Sequence, residues 1–127
     1  MANAITKTTI LDGKRNTIVK IDIVGDGTGD ESSTVIFDAS AYYNTTVNKK
    51  LNRIQYVLDG FSARLLWDAT TDAPLWTLEK DKYSDFCFNG GLSNTYYAGA
   101  TGDILLTTIG IASGESGTII LYLQSKR

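Results

Sequence analysis

The sequence predicts an all-β chain folded as an antiparallel β-sandwich, jelly-roll-like or immunoglobulin-like, of about eight or nine strands. Two observations point there: apolar and polar residues alternate with period two in one segment after another, and turn residues separate these segments every ~8 to 14 positions. A third is that no segment of useful length combines helical spacing with capping signals. Sheets with one apolar face are most simply covered by packing them face to face. The 127 residues fit a single domain, 1–127, large enough to bury roughly two thirds of the surface exposed by the unfolded chain.

The elements follow in order. Ile5 to Leu11 is a Thr-rich first strand, turned by Asp12-Gly13-Lys14, and Thr17 to Val24 is a clear second one. Gly25 to Ser33, small and acidic throughout, reads as a loop. Ser33 to Ala39 resumes as a strand, and Ser40 to Lys50 reads as a surface connection. The longest unambiguous sheet signal is Leu51 to Ala69. Ile54, Tyr56 and Leu58 alternate with polar neighbours, Asp59-Gly60 interrupts, and Phe61, Ala63, Leu65 and Trp67 alternate again. Asp-Gly between alternating runs predicts a type I′ hairpin; a single strand bent at a glycine-containing bulge is the alternative. Thr70 to Pro74 is a turn cluster, Leu75 to Glu79 and Tyr83 to Phe88 are strands, and Asn89-Gly90-Gly91 opens a longer loop. Asp103 to Ile111 and Thr118 to Gln124 complete the set.

Composition narrows the function. A net charge of -2 with dispersed Lys and Arg gives no footprint for nucleic acid, and the nearest basic cluster is only Lys49, Lys50 and Arg53. No apolar run approaches the ~20 residues of a membrane span, and the N-terminus lacks the apolar core of a signal peptide, so synthesis without secretion is expected. The chain contains no histidine, which removes the commonest general base and transition-metal ligand. Its one cysteine, Cys87, lies among apolar neighbours and is expected to be buried and inert. No cofactor and no catalytic activity are expected.

Several groups still merit testing as sites. Asp26, Asp30 and Glu31 in the acidic loop have the oxygen-ligand chemistry of a Ca²⁺ site, although a strand-flanked turn explains them without an ion. Asp59 and Asp68 would lie close together in the hairpin reading, as a glycosidase carboxylate pair does. Trp67 and Trp76 are candidates for sugar stacking but have core-facing phase. Tyr42, Tyr43, Tyr96 and Tyr97 are paired in loops, which puts at least one ring of each pair near a surface where partners bind. Asn44-Thr45-Thr46 matches a glycosylation sequon.

LDGFSARLLWDAT from Leu58 to Thr70, Gly90-Gly91, AGATGDILLTTIG from Ala98 to Gly110 and SGESGTIILYLQSK from Ser113 to Lys126 together resemble a family. They are similar to the small head-associated proteins encoded beside major capsid genes in tailed bacteriophages, in which GF-x-V-x-L-x-WDA, GG-L and GATGDI-x-x-TT blocks recur in this order. The likeness covers residues 51 to 126, with Ala63 where the pattern usually has Val. It implies a capsid decoration or cement protein, made in the host cytoplasm and carried on the virion exterior, with the major capsid protein and neighbouring copies of itself as partners. Under that reading residues 1–12, with Thr6 and Thr8, form an arm or edge strand that pairs with a neighbour. The alternatives are a carbohydrate-binding sandwich module and a tail or baseplate protein.

Overall fold

A computed structural model describes residues 4–13, 15–27, 30, 34–39, 49–79, 83–94 and 97–125. Among them are nine strands: β1 (Ala4–Asp12), β2 (Asn16–Val24), β3 (Thr34–Phe37), β4 (Lys49–Leu58), β5 (Ser62–Trp67), β6 (Ala73–Leu78), β7 (Tyr83–Ser93), β8 (Ile104–Ile109) and β9 (Ser116–Ser125). They form a five-stranded sheet in the order β1-β2-β9-β4-β7 and a four-stranded sheet in the order β3-β8-β5-β6, with every pairing antiparallel.

The pairings nest: β5 with β6, β4 with β7, β3 with β8 and β2 with β9. That is the order produced when one long antiparallel ribbon is rolled up, the jelly roll, and it differs from the strand order of an immunoglobulin sandwich. The remaining strand, β1, extends the larger sheet beyond the rolled eight, so its outer side meets no described strand.

Alternation in sequence becomes a layered core. On the five-stranded sheet, Val19 faces Leu121, which faces Ile54; Ile21, Ile119 and Tyr56 form the next row. The four-stranded sheet answers with the rows Leu65–Leu106 and Trp67–Ile104, and Phe37 and Phe61 fill between the layers. All of these side chains are at most 2 % exposed. Burial at that level is worth ~1.5 to 3 kcal/mol for each large aliphatic or aromatic side chain, so these rows carry the sandwich.

Four expectations are corrected. Asp59-Gly60 does not close a hairpin: β4 belongs to one sheet and β5 to the other, so the chain turns a corner there. The pairing decides this and phase does not, since a two-residue hairpin would also bury both Leu58 and Phe61, whereas here β4 lies between β9 and β7 and β5 between β8 and β6. Gly60 has φ +88°, and Gly117 of β9 lets the corner pass, because a Cβ there would meet Leu58 Cδ2 at 2.6 Å. Cys87 is exposed, since it pairs with outward-facing Arg53 while Phe86 and Phe88 point toward the core side. Pro74 lies inside β6, which tolerates it as an edge strand with a register shift beside it, between Leu65 and Leu66. β7 runs on through Asn89-Gly90-Gly91, and a shift between Leu51 and Arg53 absorbs the extra residues.

Candidate interaction face and strand-end clasp

The outer surface of the five-stranded sheet is organised in rows that cross all five strands. One row is Thr6–Asp22–Thr118–Val57–Tyr83, the next Thr8–Lys20–Ile120–Gln55–Asp85, and the third Leu11–Ile18–Tyr122–Arg53–Cys87. Alternation that buries Ile54 and Tyr56 necessarily turns Arg53, Gln55 and Val57 outward. Thr6 and Thr8, expected at a partner interface, both lie on this face.

Its polar groups hold one another. Arg53 clamps Asp85 through Nε at 2.9 Å and a second guanidinium nitrogen at 2.5 Å, and its guanidinium carbon lies 5.2 Å from the centre of the Tyr122 ring. The Tyr122 hydroxyl donates to Gln55 Oε1 at 2.8 Å, and Gln55 Nε2 donates onward to Asp85 at 3.4 Å. The Arg53 side chain is the main reason the Asp85 carboxyl is held below the usual range, and Asp85 in turn holds Arg53 in its charged form. On the neighbouring strands Thr118 Oγ1 donates to Asp22 at 2.8 Å, and Lys20 reaches the same carboxylate at 3.6 Å.

Between these groups the face is apolar. Leu11, Val24, Val57 and Tyr83 are 45, 48, 44 and 68 % exposed. Two shallow hollows, of about 160 and 300 Å³, meet at Val57 and Thr118. Exposed apolar side chains set in a locked polar lattice, with Arg and Tyr among them, have the composition of a protein-binding surface.

A second constellation ties the strand ends together. Asp68 N–H donates to the Asp103 carbonyl at 3.0 Å, Thr101 N–H to the Asp68 carbonyl at 3.0 Å, and Thr101 Oγ1 to Asp68 Oδ2 at 3.0 Å. Thr70 N–H reaches the Ala98 carbonyl at 3.0 Å, and Ala39 N–H reaches Asp103 Oδ1 at 2.8 Å. The WDA and GATGD segments are thus two halves of one clasp joining the ends of β3, β5 and β8. Burial, aided by the charges of Asp38 and Asp68, pushes the Asp103 carboxyl up, against the pull of the Ala39 N–H.

The other candidates separate. Asp59 hydrogen-bonds at the corner through its N–H to Ser116, whereas Asp68 lies beyond the far end of β5, roughly 20 Å of strand away, so they form no carboxylate pair. Asp30 is a staple: its carboxylate accepts from Ile111 N–H at 2.9 Å and from Thr108 Oγ1 at 3.3 Å. Asp26 lies just past β2, Glu31 is outside the described residues, and no group of three or more metal-ligating side chains occurs among those described. Tyr97 is 41 % exposed, while Tyr42, Tyr43, Tyr96 and the Asn44 sequon lie outside the described residues.

Trp67 is buried and offers no ring to a sugar. Trp76 is half-buried against Phe86 and Phe88, at centroid distances of 5.4 and 4.7 Å. It borders a groove of about 510 Å³ with Arg64, Leu66 and Pro74. That groove is larger than the hollows of the five-stranded sheet; its lining is mostly apolar, with Arg64 and Thr77 as its polar side chains.

Sequence reasoning missed Lys49, read as part of a surface connection and of the basic cluster. It is 1 % exposed, on the inward phase of β4, with its N–H donated to Asn94 Oδ1 at 3.0 Å. Burial lowers its ammonium pKa, and the Asp12 charge pulls it back up. With Lys49 buried and Arg53 tied to Asp85, the basic cluster is not a patch. No helix among the described residues is long and apolar enough to cross a membrane.

No family model matches this chain, and no curated protein does. Among solved structures, a cupin domain from Bordetella pertussis aligns over 100 % of this chain and 98 % of its own, at 12 % identity and a TM-score of 0.34.

Proposed function

We propose that this chain is a structural virion protein without catalytic activity, which binds the outside of a tailed-phage capsid and stabilises the shell. The observation that carries the reading is the outer face of the five-stranded sheet, where exposed Leu11, Val24, Val57 and Tyr83 sit among side chains already fixed by mutual hydrogen bonds. Pre-fixed side chains lose little freedom on binding, which favours a docking surface. The partner is inferred from the sequence likeness, whose blocks lie largely in the corner, the clasp and the last strand.

Five strands about 4.8 Å apart and roughly 30 Å long make a face with a flat footprint of roughly 700 Å², no larger than the ~800 Å² per partner of a standard interface. Each copy then holds the shell modestly, and stabilisation comes from many copies acting together. Purified protein mixed with empty expanded capsids should co-sediment with them and raise their disruption temperature. Absence from the pellet at saturating protein would reject the reading.

A carbohydrate-binding role is the second reading, favoured by Trp76 at the edge of its groove. It requires oligosaccharides to quench tryptophan fluorescence, with the response lost in Trp76→Ala.

A further inference from the structure

The sandwich leaves four sheet edges, and they differ in how well they are blunted. β3 is four residues long, β6 carries Pro74 and a register shift, and β7 is broken by its shift opposite Leu51 and Arg53. β1 is nine residues long and has no proline; its one register shift, between Thr9 and Leu11, lies near its end and leaves Ala4 to Thr9 in unbroken pairing with β2, and no described strand lies on its outer side. A long edge of that kind is a template for another strand.

We propose that β1 pairs antiparallel with β1 of a second copy across a two-fold axis, joining two five-stranded sheets into one. The choice of a second copy rests on faces and charges. Lys7 pairs with Ile21 and Asp12 with Thr17, both core-facing, so Lys7 and Asp12 share one face; Thr8 pairs with Lys20 and Leu11 with Ile18 on the other. They share it because the register shift between Thr9 and Leu11 changes the phase of the strand's end.

When Lys7 is set opposite Asp12 of the second copy, Thr8 necessarily falls opposite the second copy's Leu11, and the two-fold repeats both pairs. Both of these pairs match faces, and opposite charges meet at both ends of the ladder. Sliding by two residues puts Asp12 opposite Ile5, loses both charge pairs, and sets Thr8 of the outer face opposite Thr9 of the core-side face. Lys7 Nζ now rests on the Val35 carbonyl at 3.2 Å in an exposed position, a contact easily exchanged for a carboxylate. The joined sheet would present two interaction faces side by side, an isologous arrangement.

Sedimentation velocity on the full chain should show a monomer–dimer equilibrium, weakened on the order of tenfold by Lys7→Glu, which sets like charges opposite each other. In a Cys87→Ser background, a mixture of Thr8→Cys and Leu11→Cys proteins should form an inter-copy disulfide. A mixture of Thr6→Cys and Leu11→Cys should not. These side chains are exposed, so the variants should melt like the parent. A strictly monomeric chain, equal cross-linking in the two mixtures, or a dimer indifferent to Lys7→Glu would overturn the proposal. It stands apart from the capsid reading: a dimer that ignores capsids would sink that reading and leave this one intact.

Discussion

The carboxyls of Asp30 and Asp103, at the two ends of β8, are shifted in opposite directions. The N–H groups of Ile111 and Gly110 hold the Asp30 carboxyl below its ordinary range against burial, which pushes it up, and the Thr108 hydroxyl adds a lesser pull downward. Its folded pKa lies below its unfolded one, so its stabilisation is present above about pH 4 and is lost as pH falls through the folded value. Asp30→Ala should cost about 1 kcal/mol at neutral pH, a charged hydrogen bond discounted for exposure, and the deficit should shrink in acid. Asp103 is the reverse case. Its pKa is raised chiefly by burial, so the folded state favours the proton and ionisation costs stability above the raised value. Asp103→Asn keeps an oxygen for the Ala39 N–H and removes the charge beside Asp38 and Asp68. Urea midpoints should place it above the parent at pH 7 and level with it near pH 3, about where the unfolded carboxyl is also protonated. A lower midpoint at pH 7 would refute this account of the clasp.

Among the elements, the β4–β5 corner decides the architecture. A hairpin at Asp59-Gly60 would place β4 and β5 side by side in one sheet; the corner instead separates them into the two layers. Gly60 at φ +88° occupies a backbone region that a Cβ disfavours, and a Cβ there would also meet the Glu115 carboxylate. Gly60→Ala should therefore lower stability by about 1 to 2 kcal/mol in chemical denaturation. The Glu115 side chain can swing aside, so most of the cost is expected from the dihedral. The far edge is held differently: Trp76 of β6 spans to Phe86 and Phe88 of β7, closing the flank with aromatic edges rather than a strand pair.

For the molecule as a whole, the functional reading places binding and stability on opposite faces of one sheet. Val57 faces out between Thr118 and Tyr83, while its neighbours Tyr56 and Leu58 face the core. Val57→Asp and Tyr83→Ala should thus weaken capsid co-sedimentation at least tenfold, the loss expected for central contact residues, with melting shifted little. Equal loss of binding and of folding would mean that the face is structural. Changes in the Asp68–Thr101 clasp should show the opposite pattern, reduced stability with binding retained at temperatures where the fold persists.

Strand positions were largely legible because period-two alternation is written residue by residue: Val19, Ile21 and Ile23 in β2, Ile54, Tyr56 and Leu58 in β4, and Ala63, Leu65 and Trp67 in β5 are all buried as their phase requires. Cys87 shows the limit of that reading, for apolar neighbours do not reveal phase unless the strand's register is known. Lys49 was not legible at all, because its inward phase follows from where β4 begins, and the groups that meet it there, Asn94 at its N–H and the charge of Asp12, are distant in sequence. The same holds for the Asp68–Thr101 clasp and for the Arg53–Asp85–Gln55–Tyr122 lattice, each assembled from separate strands. By itself the sequence determined that this chain builds a β-sandwich and which face of most strands is apolar, since both follow from local period and turn chemistry. Only the tertiary structure decided that Asp59-Gly60 is a corner, that the ribbon is rolled as a jelly roll, and that β1 is left at an open edge. Those are choices among pairings, and pairing energy depends on partners that local sequence does not specify.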